Sequence, residues 1–285
     1  MVRKVGIASS PYFSEFGLDC YKEMKKDGFD CADVGFFTST DGVPYTLSEA
    51  AFEKMMLDHK TAAKEAGIEI FQTHGPWRWP PQDGTEEQRA ERMEKMEKAI
   101  YGTHLLGCKI MVIHPIMPYG CDSDGDYEKF MEINREFFAK LLITAEKYGV
   151  IIAFENMPFL GLTISPPQKI LEFVKEMNSP YFKMCLDTGH ANVFHSSPAE
   201  AVRQAGEYIV ALHVHDNDGN GDHHQNPYRG NIDWEDFKSA LEESLSICAV
   251  SLETDVKEKY PKPLDGVFRK ALADTAKYLA GQLDK

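Results

Sequence analysis

Short apolar runs rich in β-branched residues recur along the chain, and each is followed by a longer stretch in which apolar residues return at helical spacing. Eight such runs are present, beginning at Val5, Cys31, Ile68, Lys109, Val150, Phe182, Tyr208 and Ser246. The clearest helical stretches between them span 47–66, 86–106, 127–148 and 233–243. Gly67, Gly107 and Gly149 each stand just before a strand, where a left-handed glycine ends a helix. This alternation predicts a parallel sheet with helices around it.

Eight units in 285 residues give about 36 residues for each unit, which is the usual length in a (β/α)8 TIM barrel. A doubly wound open sheet is the alternative α/β architecture. No linker, charge block or low-complexity segment divides the chain, so we expect residues 1–285 to form a single barrel domain.

The distribution of polar residues favours the barrel, because they gather at the carboxyl ends of many strands. Six strands end in an apolar residue or threonine followed by a metal-ligand residue: His74, His114, Glu155, Asp187, His213 and Glu253. Because neighbouring strand residues face opposite sides, these ligands are expected to face the barrel axis. Two residues earlier, on the same inner face, four strands carry small residues that suit a crowded interior: Ala153, Cys185, Ala211 and Ser251.

Buried carboxylates such as Glu155, Asp187 and Glu253 would be costly to desolvate unless they were paired or bound to a cation. A divalent metal ion removes that cost. Mixed carboxylate and imidazole ligands suit Mn²⁺, the ion we expect, and also Zn²⁺, Co²⁺ or Fe²⁺. No cysteine occupies an inward strand end next to these ligands, which argues against a thiolate zinc site.

The composition narrows the class of protein. The chain is 43% hydrophobic and 27% charged, as in a globular protein, and its net charge of -14 disfavours nucleic-acid and anionic membrane partners. The N-terminus lacks the features of a signal peptide, and no apolar stretch approaches the length of a membrane span. Six scattered cysteines predict free thiols and a cytoplasmic location. Assembly into a homo-oligomer stays open.

The motifs FEN with Glu155, LDTGH with Asp187 and His190, HVHDND with His213, and SLET with Glu253 resemble those of the xylose-isomerase-like TIM-barrel superfamily. That group contains sugar isomerases and epimerases, inosose-processing enzymes and endonuclease IV. The resemblance covers nearly the whole chain. It implies that Glu155, Asp187, His213 and Glu253 hold the principal metal, and that His190 contacts substrate or a further metal.

The nuclease branch of that superfamily builds a three-metal site. The resemblance places its additional ligands on five residues: His74, His114, His190, Asp222 and His224. The net charge and the absence of basic loops after the strands oppose a nuclease. The ketohexose 3-epimerase branch carries an arginine where this chain has Gly219, which is a departure from that branch.

The sequence therefore predicts a divalent-metal-dependent isomerase or epimerase acting on a sugar, keto-polyol or related small carbohydrate. Chelation of a carbonyl oxygen and an adjacent hydroxyl would stabilise an enediolate, with Glu155 and Glu253 as the acid and base. Trp77, His215 and Arg229 are candidates for contact with the substrate. The alternatives are a lyase or dehydratase on an inosose or 3-keto-glycoside, and an endonuclease IV-like phosphodiesterase.

Overall fold

The computed structural model describes residues 3–254, 260–261 and 264–283. Its centre is a sheet of eight strands: β1 Val5–Ala8, β2 Cys31–Val34, β3 Glu69–His74, β4 Ile110–Ile113, β5 Ile151–Glu155, β6 Phe182–Asp187, β7 Ile209–His213 and β8 Val250–Leu252. Neighbouring strands pair in parallel in the order β7-β6-β5-β4-β3-β2-β1-β8. A parallel bridge between Val214 and Leu252 joins the two end strands. The barrel predicted from the sequence is confirmed, and the open sheet is excluded.

Helices surround the barrel: α1 Ser10–Phe16, α2 Cys20–Asp27, α3 Val43–Thr46, α4 Glu49–Ala66, α5 Glu86–Leu106, α6 Tyr127–Tyr148, α7 Pro167–Met177, α8 Thr188–Val193, α9 Pro198–Ala205, α10 Trp234–Glu243 and α11 Leu264–Leu279. Helices α4, α5 and α6 end at Gly67, Gly107 and Gly149, with φ of 70°, 80° and 66°. The sequence predicted these three stops because glycine enters the left-handed region without a steric penalty. Among the described residues, no helix is long and apolar enough to cross a membrane.

The starts of helices α5 and α6 are fixed by side chains that cap free backbone N–H groups. Thr85 and Gln88 form a reciprocal capping box at the start of α5, and the Asp126 carboxylate accepts from Lys129 N at the start of α6. The Asp187 carboxylate likewise accepts from His190 N at 2.6 Å. Helix α8 therefore begins directly after strand β6, and its first turn carries His190 over the end of the barrel.

Small side chains fill the barrel interior below its carboxyl end. Ala153, Cys185 and Ala211 are fully buried there, and Ser251 is 2% exposed, as the strand alternation predicted. The larger apolar side chains lie between the strands and the helices, where Phe138 of α6 packs against Phe154 of β5 with ring centroids 5.0 Å apart. The polar residue at each strand end is thus supported by a packed layer, and its position is set by the barrel.

Candidate metal centre

Four side chains from the ends of strands β5 to β8 meet at the top of the barrel. The ligand atoms of Glu155, Asp187, His213 and Glu253 all lie within 4.8 Å of one another. His213 Nδ1 is 2.6 Å from Glu155 Oε1 and 2.9 Å from Glu253 Oε2. The strand register accounts for the proximity, because Asp187 and His213 are partners in the β6–β7 pair. The structure brings together the four residues assigned to the principal metal.

The imidazole of His213 is oriented by a residue that the sequence analysis did not identify. Its Nε2 lies 3.0 Å from Asp33 Oδ2, and the same oxygen accepts from Gln72 Nε2 at 2.8 Å. A carboxylate in this position keeps the proton on Nε2 and leaves Nδ1 free to bind a cation. Burial lowers the pKa of His213, but the charges of Glu253 and Glu155 and the hydrogen bond to Asp33 outweigh it and raise the pKa well above its ordinary value.

A second group of ligand atoms lies on the other side of the Glu155 carboxylate. Glu155 Oε2 is 2.9 Å from His114 Nε2 and 3.6 Å from His74 Nε2, and the two imidazole nitrogens are 3.1 Å apart. His74 Nδ1 donates to Gly75 O at 2.8 Å, so Nε2 of the neutral ring is an acceptor. Burial lowers the pKa of His114 to about 4 despite the Glu155 charge, which keeps this ring neutral. His74 Nε2 and the Glu155 carboxylate are both acceptors here, so a proton on His114 Nε2 or a cation would be stabilised between them.

A third group is built from helix α8 and the loop after strand β7. Asp222 Oδ2 lies 3.3 Å from His190 Nε2 and 3.2 Å from His224 Nε2. The Nδ1 atoms of both rings donate to backbone carbonyls, those of Asn156 and Glu253, each at 2.8 Å. In their neutral forms both rings therefore turn a lone pair towards the Asp222 carboxylate. The arrangement is repulsive unless a proton or a metal ion lies between these atoms.

The donor chemistry of all three groups fits divalent metal ions. Each group combines imidazole nitrogen with carboxylate oxygen, the mixture that suits Mn²⁺, Zn²⁺, Co²⁺ or Fe²⁺. In the protein alone, protons compensate the carboxylates. Burial opposes protonation of His190 and His224, but Asp187 and Asp222 raise the pKa of His190 to about 10, and Asp222 and Glu253 do the same for His224. Metal ions would supply the positive charge that these protons supply.

Cys185 lies just below the candidate ligands, although Asp187 and not a cysteine occupies the end of β6. Its sulfur is within 4.8 Å of the ligand atoms of Glu155 and His213. Cys185 is two residues before Asp187 on the same inward face of β6, which places it directly below the ligands. Burial raises the pKa of this thiol well above its ordinary value. The protonated thiol is a poor ligand, and the nitrogen and oxygen donors remain the candidate set.

The three residues predicted to contact the substrate have different positions. Trp77 lines the cavity above the ligands, and its ring centroid is 4.7 Å from that of His114. His215 is fully buried outside the cavity lining, and its Nε2 lies 3.0 Å from Asp187 Oδ2. A side chain at Gly189 would collide with the His215 ring at 1.9 Å. His215 is thus placed to orient the Asp187 carboxylate, and one of its ring nitrogens also lies within 4.8 Å of the ligand atoms of His190, Asp222 and His224. It does not line the cavity in which we expected it to contact the substrate.

Arg229 is likewise outside the cavity. It is exposed in the loop between β7 and α10 and is not among the residues that line the cavity. Its predicted contact with the substrate therefore has no support in the structure. The cavity itself has a volume of about 710 Å³ and opens above all three ligand groups. Among the described residues, no lysine or arginine lines it.

Comparison with known proteins identifies the family. The sequence profile of the xylose isomerase-like TIM barrel family matches residues 21–275. An uncharacterized protein of Methanocaldococcus jannaschii, MJ1311, is 32% identical over 256 residues, which cover 88% of this chain and 83% of that protein. A D-psicose 3-epimerase of Ruminiclostridium cellulolyticum is 31% identical over 230 residues, which cover 77% of this chain and 72% of the enzyme.

The fold also matches solved structures. A D-psicose 3-epimerase from Clostridium cellulolyticum H10, solved with D-tagatose, superposes with a TM-score of 0.78 at 18% identity. The match covers 97% of this chain and 99% of that one. The chain therefore belongs to the xylose isomerase-like TIM barrel family, as the motifs in its sequence indicated.

Proposed function

We propose that this member of the xylose isomerase-like TIM barrel family is a metal-dependent epimerase or isomerase of a small carbohydrate. The observation that carries the proposal is the pair of carboxylates, Glu155 and Glu253, that approach His213 Nδ1 at 2.6 and 2.9 Å at the base of one cavity. A relative that is a D-psicose 3-epimerase supports the choice of epimerase. The free cysteines of the described chain agree with a cytoplasmic enzyme.

The principal metal would be held by Glu155, Asp187, His213 and Glu253. Further metals would be held by the group His74, His114 and Glu155 and by the group His190, Asp222 and His224. A divalent ion at the principal site supplies a Lewis acid that polarises a substrate carbonyl and makes the neighbouring C–H acidic. Asp33 and His215 keep two of these ligands in place through hydrogen bonds of 3.0 Å each.

Glu155 and Glu253 differ in solvent exposure, and we expect this difference to distinguish their roles in proton transfer. Glu155 is 1% exposed, whereas the side chain of Glu253 is 30% exposed at the cavity wall. In epimerisation, one carboxylate takes the proton from the carbon next to the carbonyl, and the C–H electron pair enters the enediolate. The other, starting as a carboxylic acid, returns a proton to the opposite face. In this reaction we expect a proton held by Glu253 to exchange with solvent faster than one held by Glu155, because the Glu253 side chain is the more exposed.

Isomerisation would use the same two groups differently. The proton would be returned to the adjacent carbon, so that an aldose and a ketose interconvert. A lyase or dehydratase would arise if the same enediolate expelled a leaving group from the next carbon. All three outcomes begin with proton removal by a carboxylate, and product analysis separates them.

The proposal is tested by solvent exchange. Metal-loaded protein is incubated in D₂O with D-psicose, D-tagatose and D-fructose, and the products are examined by NMR and mass spectrometry. We expect deuterium at the carbon next to the carbonyl and formation of the epimer. Chelation should abolish the exchange, and Mn²⁺ or Co²⁺ should restore it. Full activity of a preparation shown to be free of metal would refute the proposal.

A second candidate function, a metal-dependent phosphodiesterase, is favoured by one observation. All three ligand groups are complete, and Glu155 joins two of them. The net charge of -14 and the absence of lysine and arginine from the described cavity lining oppose the binding of an anionic duplex. We expect no measurable binding to abasic-site DNA at about 0.15 M salt. Salt-sensitive binding and incision of that DNA, without exchange into any sugar, would favour the phosphodiesterase.

A further inference from the structure

The cavity above the ligands is larger than one sugar needs. Its volume is about 710 Å³. A monosaccharide occupies roughly 200 Å³ if each of its dozen heavy atoms takes about half the ~30 Å³ of a liquid water. A sugar bound at the ligands would therefore leave room for a second group of similar size, and the loops after β3 and β5 line one side of the cavity.

That side of the cavity is a series of aromatic rings. Trp77 lies against His114 with centroids 4.7 Å apart, and Trp79 follows at 5.9 Å from Trp77. Trp79 then stacks on Phe159 of the loop after β5, with centroids 5.7 Å apart and planes inclined by only 16°. Trp77 is half-buried, whereas Trp79 is 62% exposed although it lines the cavity. One indole face is packed on Phe159, and most of the remaining surface is open.

A large exposed indole beside a binding cavity is a suitable surface for a ring with an apolar face. Covering it removes apolar area from water, which is the main favourable contribution when flat rings associate. Its support by Phe159 holds the indole in one orientation, so less conformational freedom is lost on binding.

We propose that the substrate is a glycoside, or a sugar linked to a second ring, whose second ring stacks on Trp79. The site formed by Trp79 and Phe159 is named here the outer subsite. This inference rests on the proposed function, because it takes the reacting sugar to lie at the metal ligands. The common chemistry of the second group is a ring with an apolar face, which either a sugar or an aryl group supplies.

The first test compares reaction rates. The probes are D-fructose, 6-O-glucosyl-D-fructose and 6-O-benzyl-D-fructose, which carry the added ring far from the reacting carbons. Deuterium exchange in D₂O gives kcat/KM for each. For the wild type we expect one of the two-ring probes to exceed D-fructose on the order of tenfold, the scale of one aromatic contact. Whichever probe is preferred tells whether the second ring is a sugar or an aryl group.

The variants Trp79→Ala and Phe159→Ala should reduce that ratio to near one. Leu160→Ala is the matched control, because Leu160 is an apolar residue of the same loop, 71% exposed and outside the cavity lining. It should keep the wild-type ratio. Thermal melting checks that Trp79→Ala is folded, as expected for so exposed a side chain. A wild-type ratio near one, or an equal loss in Leu160→Ala, would overturn the inference while the proposed function stands.

A second test measures binding without turnover. Titration calorimetry compares methyl and phenyl β-D-glucoside, neither of which has the carbonyl that the reaction requires. We expect the phenyl compound to bind on the order of tenfold more tightly to the wild type and to Leu160→Ala, but not to Trp79→Ala. If no sugar exchanges deuterium and this preference is still found, the proposed function fails and the outer subsite stands. If no preference for a second ring is found in either test, the outer subsite is refuted.

Discussion

The role of Asp33 gives the sharpest test of how the barrel prepares the metal ligands. Asp33 is 4% exposed on strand β2, and its Oδ2 accepts from His213 Nε2 at 3.0 Å. Asp33→Asn keeps the shape of the side chain and an oxygen acceptor but removes the negative charge. Asp33→Ala also removes the acceptor, so the His213 ring loses its only fixed partner on that side among the described residues.

The expected magnitude follows from the kind of bond that is lost. A buried hydrogen bond to a charged group contributes about 1.5–3 kcal/mol, and each ~1.4 kcal/mol corresponds to a factor of ten in affinity. We therefore expect Asp33→Asn to weaken metal binding about tenfold and Asp33→Ala about a hundredfold, the range usual for groups that orient a metal-bound histidine. The asparagine variant has the smaller effect because His213 still has an acceptor.

The measurement is the metal Kd, from competition with a chromophoric chelator for Zn²⁺ and from electron paramagnetic resonance for Mn²⁺. The ¹⁵N chemical shifts of the His213 ring report whether Nε2 keeps its proton. Asp27→Asn is the control, because Asp27 is also a buried carboxylate with charged and polar partners, Arg269 at 2.7 Å and Tyr12 at 2.9 Å, outside the site. A folded Asp33→Ala with the wild-type Kd, or an equal weakening in Asp27→Asn, would refute the reasoning.

Three further outcomes are expected. Glu155→Gln and Glu253→Gln should each lower turnover at least about a hundredfold, measured by solvent exchange, while circular dichroism shows an intact fold; near-normal turnover of either would exclude its role in proton transfer. Removal of metal by a chelator should lower the melting temperature, because the ion binds only the folded site, and metal addition should restore it; an unchanged melting temperature would argue against a bound ion. Burial lowers the pKa of His59 to about 4. As the pH falls from 6.5 to 4, this imidazole takes up a proton in the unfolded chain but not in the folded protein. The free energy of unfolding therefore falls by about 3 kcal/mol, at ~1.36 kcal/mol for each pH unit. Urea unfolding should show that the free energy of unfolding of His59→Gln, which has no imidazole to protonate, falls less than that of the wild type over that interval. The control His104→Gln, at an exposed position, should follow the wild type.

The fold could be predicted from the sequence because its signals are local and repeated. The apolar runs have strand length, and helices α5 and α6 have the predicted bounds. Their stops are glycines with positive φ, a conformation that the residue type itself favours. Helix α8, Thr188–Val193, was not among the helical stretches predicted from the sequence. The cap formed by Asp187 explains the difference, because it starts a helix without a loop.

The ligand groups could be predicted for a related reason. Parallel strands bring their carboxyl ends to one edge, so residues far apart in sequence, such as Glu155 and Glu253, meet without any assumption about loops. Asp222 and His224 lie in a loop, and only the resemblance to a family placed them at the site. Their position depends on backbone geometry, including the positive φ of 45° at His224, which no periodic pattern encodes.

The roles of two residues were not predicted because each depends on the direction in which the side chain points. Asp33 lies one residue before the end of strand β2, so it does not fit the pattern of a ligand at the last strand position. Its sequence CADVG does contain a signal, because a carboxylate inside a buried strand requires a partner. Arg229 was predicted to contact the substrate because it is a cation in the loop after β7. The sequence does not reveal whether a loop directs such a side chain into the cavity or towards solvent, and in the structure Arg229 is exposed.

The candidate ligands and the aromatic residues of the cavity come from different parts of the barrel. The candidate principal ligands lie at or next to strand ends, and for Glu155, Asp187 and His213 the pairing between neighbouring strands sets the position. The aromatic wall of Trp77, Trp79 and Phe159 comes from two loops that the register does not constrain. A change in these loops can therefore alter the size and character of the cavity while the candidate metal ligands and the proposed proton-transfer groups stay in place. For this reason the residues at the strand ends identify the family, whereas we expect the loops after β3 and β5 to decide which substrate the proposed enzyme accepts.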